Sequence, residues 1–168
     1  MSTVNPYQAP KAELQESEDP AEAELATRSQ RFGGSFVDGI ISMVIAYPLM
    51  HAFGLMDYAK SGQPVPFALN LKVGLLAFVF FVLVHGYFLK KNGQTIGKKV
   101  AGTRIADLNG DVPGFWTLVA LRYMPIVLVT QIPAIGPLLA VVDVLFIFRS
   151  DRRCVHDLIA GTKVIRAR

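Results

Sequence analysis

The sequence predicts an all-α membrane protein with about four membrane-embedded helical segments: two full spans, then a hairpin broken by Pro and Gly, with a small cytoplasmic β pairing. Three observations predict it. Apolar residues make up 52% of the 168-residue chain and charged ones only 18%, too greasy a balance for an ordinary soluble domain of this size. Two apolar runs each reach the roughly 20 residues that a helix needs to cross a bilayer. The Lys and Arg residues gather beside those runs, as membrane topology requires, and lack the amphipathic reading helix of a DNA-binding motif.

The chain divides at about residue 27. Residues 1–27 carry six acids against Lys11 alone and contain three prolines, so they cannot bury enough surface to offset the entropy of ordering, and a disordered acidic tail is expected. It has no basic start followed by an apolar core, which excludes a secretory signal. Its "NPYQAPKA" resembles a short N-terminal motif of various bacterial inner-membrane proteins. Residues 28–168 form the membrane domain. The first apolar run, Gly33 to Met56, is interrupted only by Asp38 and His51 and reads as the first span. Residues 57–68, "DYAKSGQPVPFA", hold a Gly and two Pro and read as a loop. Leu69 to Leu89 supplies the second span, ending at Lys90 and Lys91.

The polar stretch after it, "NGQTIGKKVAGTRIADLNGD", predicts a short helical turn, then a strand and a tight turn. "TRIAD" and the C-terminal "GTKVIRAR" both alternate, and a pairing between them is expected. The last apolar region, Phe115 to Phe148, contains Pro125, Pro133, Gly136 and Pro137. As one straight helix it would be about 50 Å long, overshooting a hydrocarbon core of about 30 Å. Charge decides how it folds. Basic residues flank it on both sides, from Lys90 to Arg104 and from Arg149 to Arg168, and both flanks belong inside. The region must therefore enter, turn near "QIPAIGP" and return, as a tilted or partly re-entrant hairpin. The same count places Arg28, Arg31 and both termini in the cytoplasm and the 57–72 loop outside.

Helical spacing sets Arg31, Ser35, Asp38 and Ser42 on one stripe of the first span, with Gly34, Gly39 and Ala46 beside it, a small polar face suited to helix packing. A charged Asp within a membrane helix costs about 2.5–3.5 kcal/mol on insertion scales. Asp38 therefore needs a partner, a water-filled pocket or a proton, and either a structural network or an ion or proton site satisfies it. Arg122 and Asp143 lie on facing arms of the hairpin and could pair; equally, Arg122 could snorkel to the interface or reach Asp38. His85 is expected near the inner end of the second span, as an interfacial histidine or a proton relay.

Other chemistries find no support. Cys154 is the one cysteine, and His51 and His156 lack companions at metal-ligand spacing, so no metal or cofactor is expected. "GQTIGKK" is one residue short of a phosphate loop, with no Ser or Thr after the lysine. No nucleophile, base and acid stand in an order that marks an enzyme.

Three pieces together, "RFGGSFVDGII", "GQTIGKKVAGTRIADLNGD" and "DRRCVHDLIAGTKVI", resemble the RDD family of prokaryotic membrane proteins, named for one arginine and two aspartates. The resemblance runs from about Arg28 to Arg166. It implies that Arg31 is the family arginine and that Asp38 and Asp157 are the two aspartates. It also implies three membrane segments, where the charge count here favours splitting the third, and a function proposed for some members as ion or solute transport. Asp157 is expected at the cytoplasmic surface, capping a helix or binding Lys98, Lys99 or Arg31, or acting as a gate. Two functions stand. One is an ion or small-solute transporter of the inner membrane, a homo-oligomer using Arg31, Asp38 and Asp157, with Arg122, Asp143 and His85 in support. The other is a non-catalytic scaffold whose charges hold helices together and which recruits membrane-protein partners or anionic lipid. Neither involves nucleic acid.

Overall fold

The computed structural model describes residues 24–167. Helix α1, Arg28–Ala52, begins in a capping box: Thr27 accepts from the Gln30 backbone while the Gln30 side chain accepts from Thr27 N. It stops at Ala52 rather than Met56, because Gly54 takes a left-handed φ of 71° and starts a new helix, α2, Leu55–Ser61. This short helix takes up residues 57–61 of the expected loop. Helix α3, Phe67–Asn92, follows and ends against Gly93. Among the described residues, α1 and α3 are the two helices long and apolar enough to cross a membrane.

The remaining elements are α4, Ile96–Val100; strand β1, Thr103–Asp107; a π-helical stretch, Thr117–Tyr123, leading into α5, Met124–Thr130; α6, Ile135–Leu145, with a 3₁₀ turn at Phe146–Phe148; α7, Val155–Ile159; and β2, Thr162–Arg166. The last apolar region is thus a helical hairpin, turning at 131–134 where Pro133 precedes Ala134 at a left-handed φ of 62°. Its first arm is widened: Met124 N bonds Val119 O, five residues back, just before Pro125, which has no N–H to give. Each arm is about 21 Å long if taken at 1.5 Å per residue.

β1 and β2 pair antiparallel, Thr103 opposite Arg166 and Asp107 opposite Thr162. Residues of the expected acidic tail join them: Leu25 bridges Ile165, Ala26 N donates to Val164 O, Arg166 N donates to Glu24 O, and the Arg166 side chain pairs with Glu24 at 2.8 Å. The tail expected to be disordered over 1–27 is therefore ordered in its last four residues, which gain backbone partners along the edge of β2; residues 1–23, with "NPYQAPKA", lie outside the described residues. This pairing gathers the start of α1, the end of α3 and both ends of the hairpin on one side of the molecule.

Beneath the sheet, Leu89, Ile105 and Leu118 form a closed core packed by Phe81, Phe115 and Tyr123. Elsewhere the long helices bury little: Phe32, Phe36, Met43, Val44, Leu83 and Tyr87 are all exposed, a surface consistent with a membrane protein. The two strands also close two matching units. In "TIGKKVAGTRI" and "CVHDLIAGTKV", a capping residue opens a five-residue helix that ends in Ala-Gly-Thr, with Gly102 and Gly161 at φ of 64° and 62° and Thr103 and Thr162 fully buried.

Candidate functional site

Asp157, completely buried, is the hub of the polar interior. At the third position of α7 its Oδ2 accepts from Cys154 N at 3.0 Å and so closes a capping box on its own helix. The same oxygen receives Arg31 Nη2 at 2.5 Å, and Oδ1 meets Arg122 Nη1. Both guanidiniums are spread over further partners. Arg31 donates to Arg152 O and reaches Cys154 Sγ at 3.3 Å. Arg152 holds a left-handed φ of 51°, an unfavourable state for a side chain, and its own guanidinium donates to Leu25 O and Ala26 O. Arg122 donates to Thr162 Oγ1 at 2.5 Å, and its Nη2 lies 3.3 Å from His156 Nε2.

Histidine 156 extends the chain to Asp143. Its Nδ1 is 2.7 Å from Asp143 Oδ2 and its backbone N donates to Asp143 Oδ1 at 2.9 Å. A guanidinium is only a donor, so His156 Nε2 must accept and Nδ1 must carry the proton given to Asp143. The result is one continuous line, Arg31–Asp157–Arg122–His156–Asp143. The facing-arm pair expected between Arg122 and Asp143 is not formed: Arg122 turns instead to the buried Asp157 carboxylate, which it shares with Arg31, and His156 stands between Arg122 and Asp143.

Burial alone would push the Asp157 carboxyl up, but Arg122, His156 and Arg31 together hold it well below the usual carboxylate range. Burial lowers His156, only partly opposed by its bond to Asp143. The Cys154 thiol is pushed up by burial, to about 11, against the pull of Arg31. Asp143, Cys154 and His156 bring three ligand-type atoms within 4.8 Å of one another, a cluster that sequence spacing did not reveal. It suits a cation poorly, since burial disfavours the Cys154 thiolate, the imidazole is bonded to Asp143, and two guanidiniums stand beside it.

Asp38 belongs to a different constellation. Its Oδ2 accepts from Thr95 Oγ1 at 2.5 Å and its Oδ1 from Gly97 N at 2.8 Å, with Lys98 Nζ at 3.9 Å. It therefore caps the start of α4 rather than joining Arg122, Asp143 or Asp157. Contact is close because both helices carry glycine here: a Cβ on Gly97 would sit 2.1 Å from Gly34 O. His85 is not interfacial but fully buried, with Nδ1 accepting from Ile96 N at 3.2 Å and the Phe81 ring 4.6 Å away. Among the described residues its Nε2 has no hydrogen-bond partner. Sequence reasoning missed Thr95, Gly97, His156, Thr162 and Tyr123; Thr95 alone left a signal, as a capping residue before the turn of "TIGKK".

Between α1, α3 and α5 lies a cavity of about 600 Å³. The stripe Ser35, Asp38 and Ser42 lines it together with Lys98, Arg122, Tyr123, Asp143 and His156; its walls are apolar, and Asn70, Thr130 and Gln131 line it as well.

The family model described as the RDD family matches residues 25–161. The chain is also similar to an uncharacterized protein of Haemophilus influenzae, 28% identical over 156 residues, which cover 92% of this chain and 86% of that one. No solved structure matches it significantly. The match takes in the paired Arg31 and Asp157 and the capping Asp38 alike, and the chain belongs to the RDD family.

Proposed function

We propose that this RDD-family chain is a non-enzymatic, multi-pass protein of the bacterial inner membrane that moves an ion or small solute through the cavity between α1, α3 and α5. The cavity itself carries the reading. At about 600 Å³ it falls in the range of small-molecule sites, and its few polar groups among apolar walls suit such a site. α1 and α3 cross the bilayer, and the hairpin enters from the sheet side as a tilted or partly re-entrant pair, its arms being shorter than a hydrocarbon core of about 30 Å. The positive-inside bias puts the sheet, Lys90, Lys91 and Arg149 in the cytoplasm. A homo-oligomer would cover the exposed apolar faces of α1 and α3.

The test is flux into proteoliposomes from a panel of ions and small solutes, wild type against Ala77→Phe, which fills the cavity from α3. Flux should fall with insertion unchanged. Labelling of single cysteines at Lys60, Lys91 and Arg149, with Cys154 replaced, should report outside, inside and inside; an outward residue 149 overturns the hairpin topology.

One observation favours the scaffold reading: the charges of Arg31, Asp38, Arg122, Asp143 and Asp157 all find partners within the chain. If the wild type moves nothing tested while substitutions of these residues only lower the melting temperature, that reading stands.

A further inference from the structure

We propose that a groove between α1 and the end of the hairpin holds one phospholipid of the cytoplasmic leaflet, its anionic headgroup at Arg28 and its acyl chains along α1. The inference rests on the membrane placement of α1 proposed above and does not require transport through the solute cavity. The groove encloses about 1050 Å³. One wall is a face of α1, where Phe32, Phe36, Ile40 and Met43 recur at helical spacing and are all exposed. The other is the end of the hairpin, where Val144 and Phe148 are exposed as well. From Arg28 to Met43 the helix advances about 22 Å at 1.5 Å per residue. Half of a bilayer about 40–45 Å thick, headgroups included, is about 20–22 Å. The groove therefore runs the depth of one leaflet and stops near the midplane, a length that fits a lipid and falls short of a spanning helix from a second copy.

Charge selects the headgroup. Among the described residues no Asp or Glu lines the groove, whereas Arg28, Arg31, Lys98 and Arg122 do. Arg31 and Arg122 are committed to Asp157, and Lys98 faces Asp38. Arg28 differs from them: it is exposed, stands at the first residue of α1, and forms no salt bridge to an acid among the described residues. It reaches across the mouth of the groove, with Nε donating to Ile147 O at 3.3 Å and the guanidinium 5.7 Å from the centre of the Phe148 ring. Those contacts hold the cation between the two walls without neutralising it. A phosphodiester would neutralise it through charge-assisted hydrogen bonds. Phosphatidylglycerol brings a net negative charge to that point, while the ammonium of phosphatidylcholine cancels its own phosphate. The apolar walls call for acyl chains behind the headgroup and disfavour a bare inorganic anion.

Native mass spectrometry of the full chain, delipidated in a neutral alkyl-glycoside detergent and titrated with phosphatidylglycerol or phosphatidylcholine of identical chains, tests this. Phosphatidylglycerol should saturate at one adduct per chain and bind roughly fivefold tighter than phosphatidylcholine. Arg28→Gln should abolish that preference. Gly33 and Gly39 line the groove, and a Cβ on either would meet nothing within 4 Å, so Gly33→Leu and Gly39→Leu fill it without a clash. Each should weaken phosphatidylglycerol by roughly tenfold with a melting temperature at or above that of the wild type, since Leu favours a helix over Gly. Two depths are probed in case one variant fails to fold. The proposal is overturned if the two lipids bind the wild type alike, or if both folded glycine variants bind phosphatidylglycerol as the wild type does. A dimer of the delipidated chain that Gly39→Leu splits would put a second copy in the groove and also sink it. Lipid binding without any flux keeps this site and removes transport; flux without a lipid preference does the reverse.

Discussion

Replacing Asp157 by Asn tests whether one carboxylate holds the polar interior together. The substitution keeps the shape and an acceptor oxygen for Cys154 N, so the cap on α7 largely survives and the charge is what is lost. That charge faces two guanidiniums whose side chains are 7% and 1% exposed, too enclosed for solvent to replace it. Removing one partner of a buried ion pair costs about 3–5 kcal/mol, against a total stability of about 5–15 kcal/mol for a typical domain. The expected loss is therefore at least about 3 kcal/mol, read as the shift of the unfolding transition in SDS mixed micelles followed by circular dichroism. Adding Arg31→Met to Asp157→Asn should cost much less than the sum of the two single changes, because the second removes an interaction already broken. A single-variant loss under about 1 kcal/mol, in the range of exposed pairs, would refute the claim that this triad is the clamp of the fold.

Two further outcomes follow from neighbouring groups. Gly97→Ala would place a methyl 2.1 Å from Gly34 O and 2.7 Å from the Asp38 carboxylate, forcing α1 and α4 apart; a loss of about 1–3 kcal/mol or more is expected in the same unfolding assay, and an unchanged midpoint would refute the close approach. His156 has a folded pKa below its ordinary 6.5, because burial beside Arg122 disfavours the imidazolium that its bond to Asp143 alone would favour. The unfolded chain then binds the extra proton first, so stability is full above about pH 6.5 and falls as pH drops through that value toward the folded pKa. Unfolding midpoints measured from pH 7.5 to 5 should fall for the wild type and stay flatter for His156→Gln; equal slopes would remove His156 as the cause.

Much of the architecture was legible because hydropathy and charge are one-dimensional signals. Two apolar runs suffice to predict two long apolar helices, Pro and Gly inside the last run suffice to predict its break into two helical arms, and the alternation in "TRIAD" and "GTKVIRAR" suffices to suggest their pairing, which the register from Thr103–Arg166 to Asp107–Thr162 realises. The site was less legible because partnerships are three-dimensional. Arg31 and Asp157 lie 126 residues apart, and nothing in the spacing of Arg122 tells that His156 will intervene between it and Asp143. The last residues of the acidic tail were misread for a related reason: composition describes their solubility, while the open edge of β2 supplies the backbone partners that order them. The partners of Asp38 were not foreseen because its place within the apolar run drew attention to distant charges, whereas the polar turn of "GQTIGKK" comes back to meet it.

The two matching units explain why an arginine and an aspartate stand seven residues apart on α1, two helical turns or about 10 Å. Each grips the start of one five-residue helix. On α7 the third helical residue is Asp157, which caps its own helix and leaves its charge for Arg31. On α4 the equivalent residue is Lys98, so beyond the Thr95 hydroxyl, which accepts from Lys98 N, the helix has no acid of its own at its start, and Asp38 on α1 supplies one by accepting from Gly97 N. α1 thus presents a cation to the unit that contains an acid and an acid to the unit that contains a base. This complementarity predicts a rescue. Asp38→Asn should destabilise the chain by about 1–3 kcal/mol, the cost of weakening a charged hydrogen-bond acceptor at a buried helix start. Lys98→Asp added to it would give α4 the self-capping aspartate that α7 already has, positioned to accept from Thr95 N. It should restore about 1 kcal/mol of that loss, the worth of a good cap. In wild type the same Lys98→Asp should instead destabilise, by setting two carboxylates against each other. If Lys98→Asp has the same effect in both backgrounds, the two units do not share a capping logic and the likeness between them is one of sequence alone.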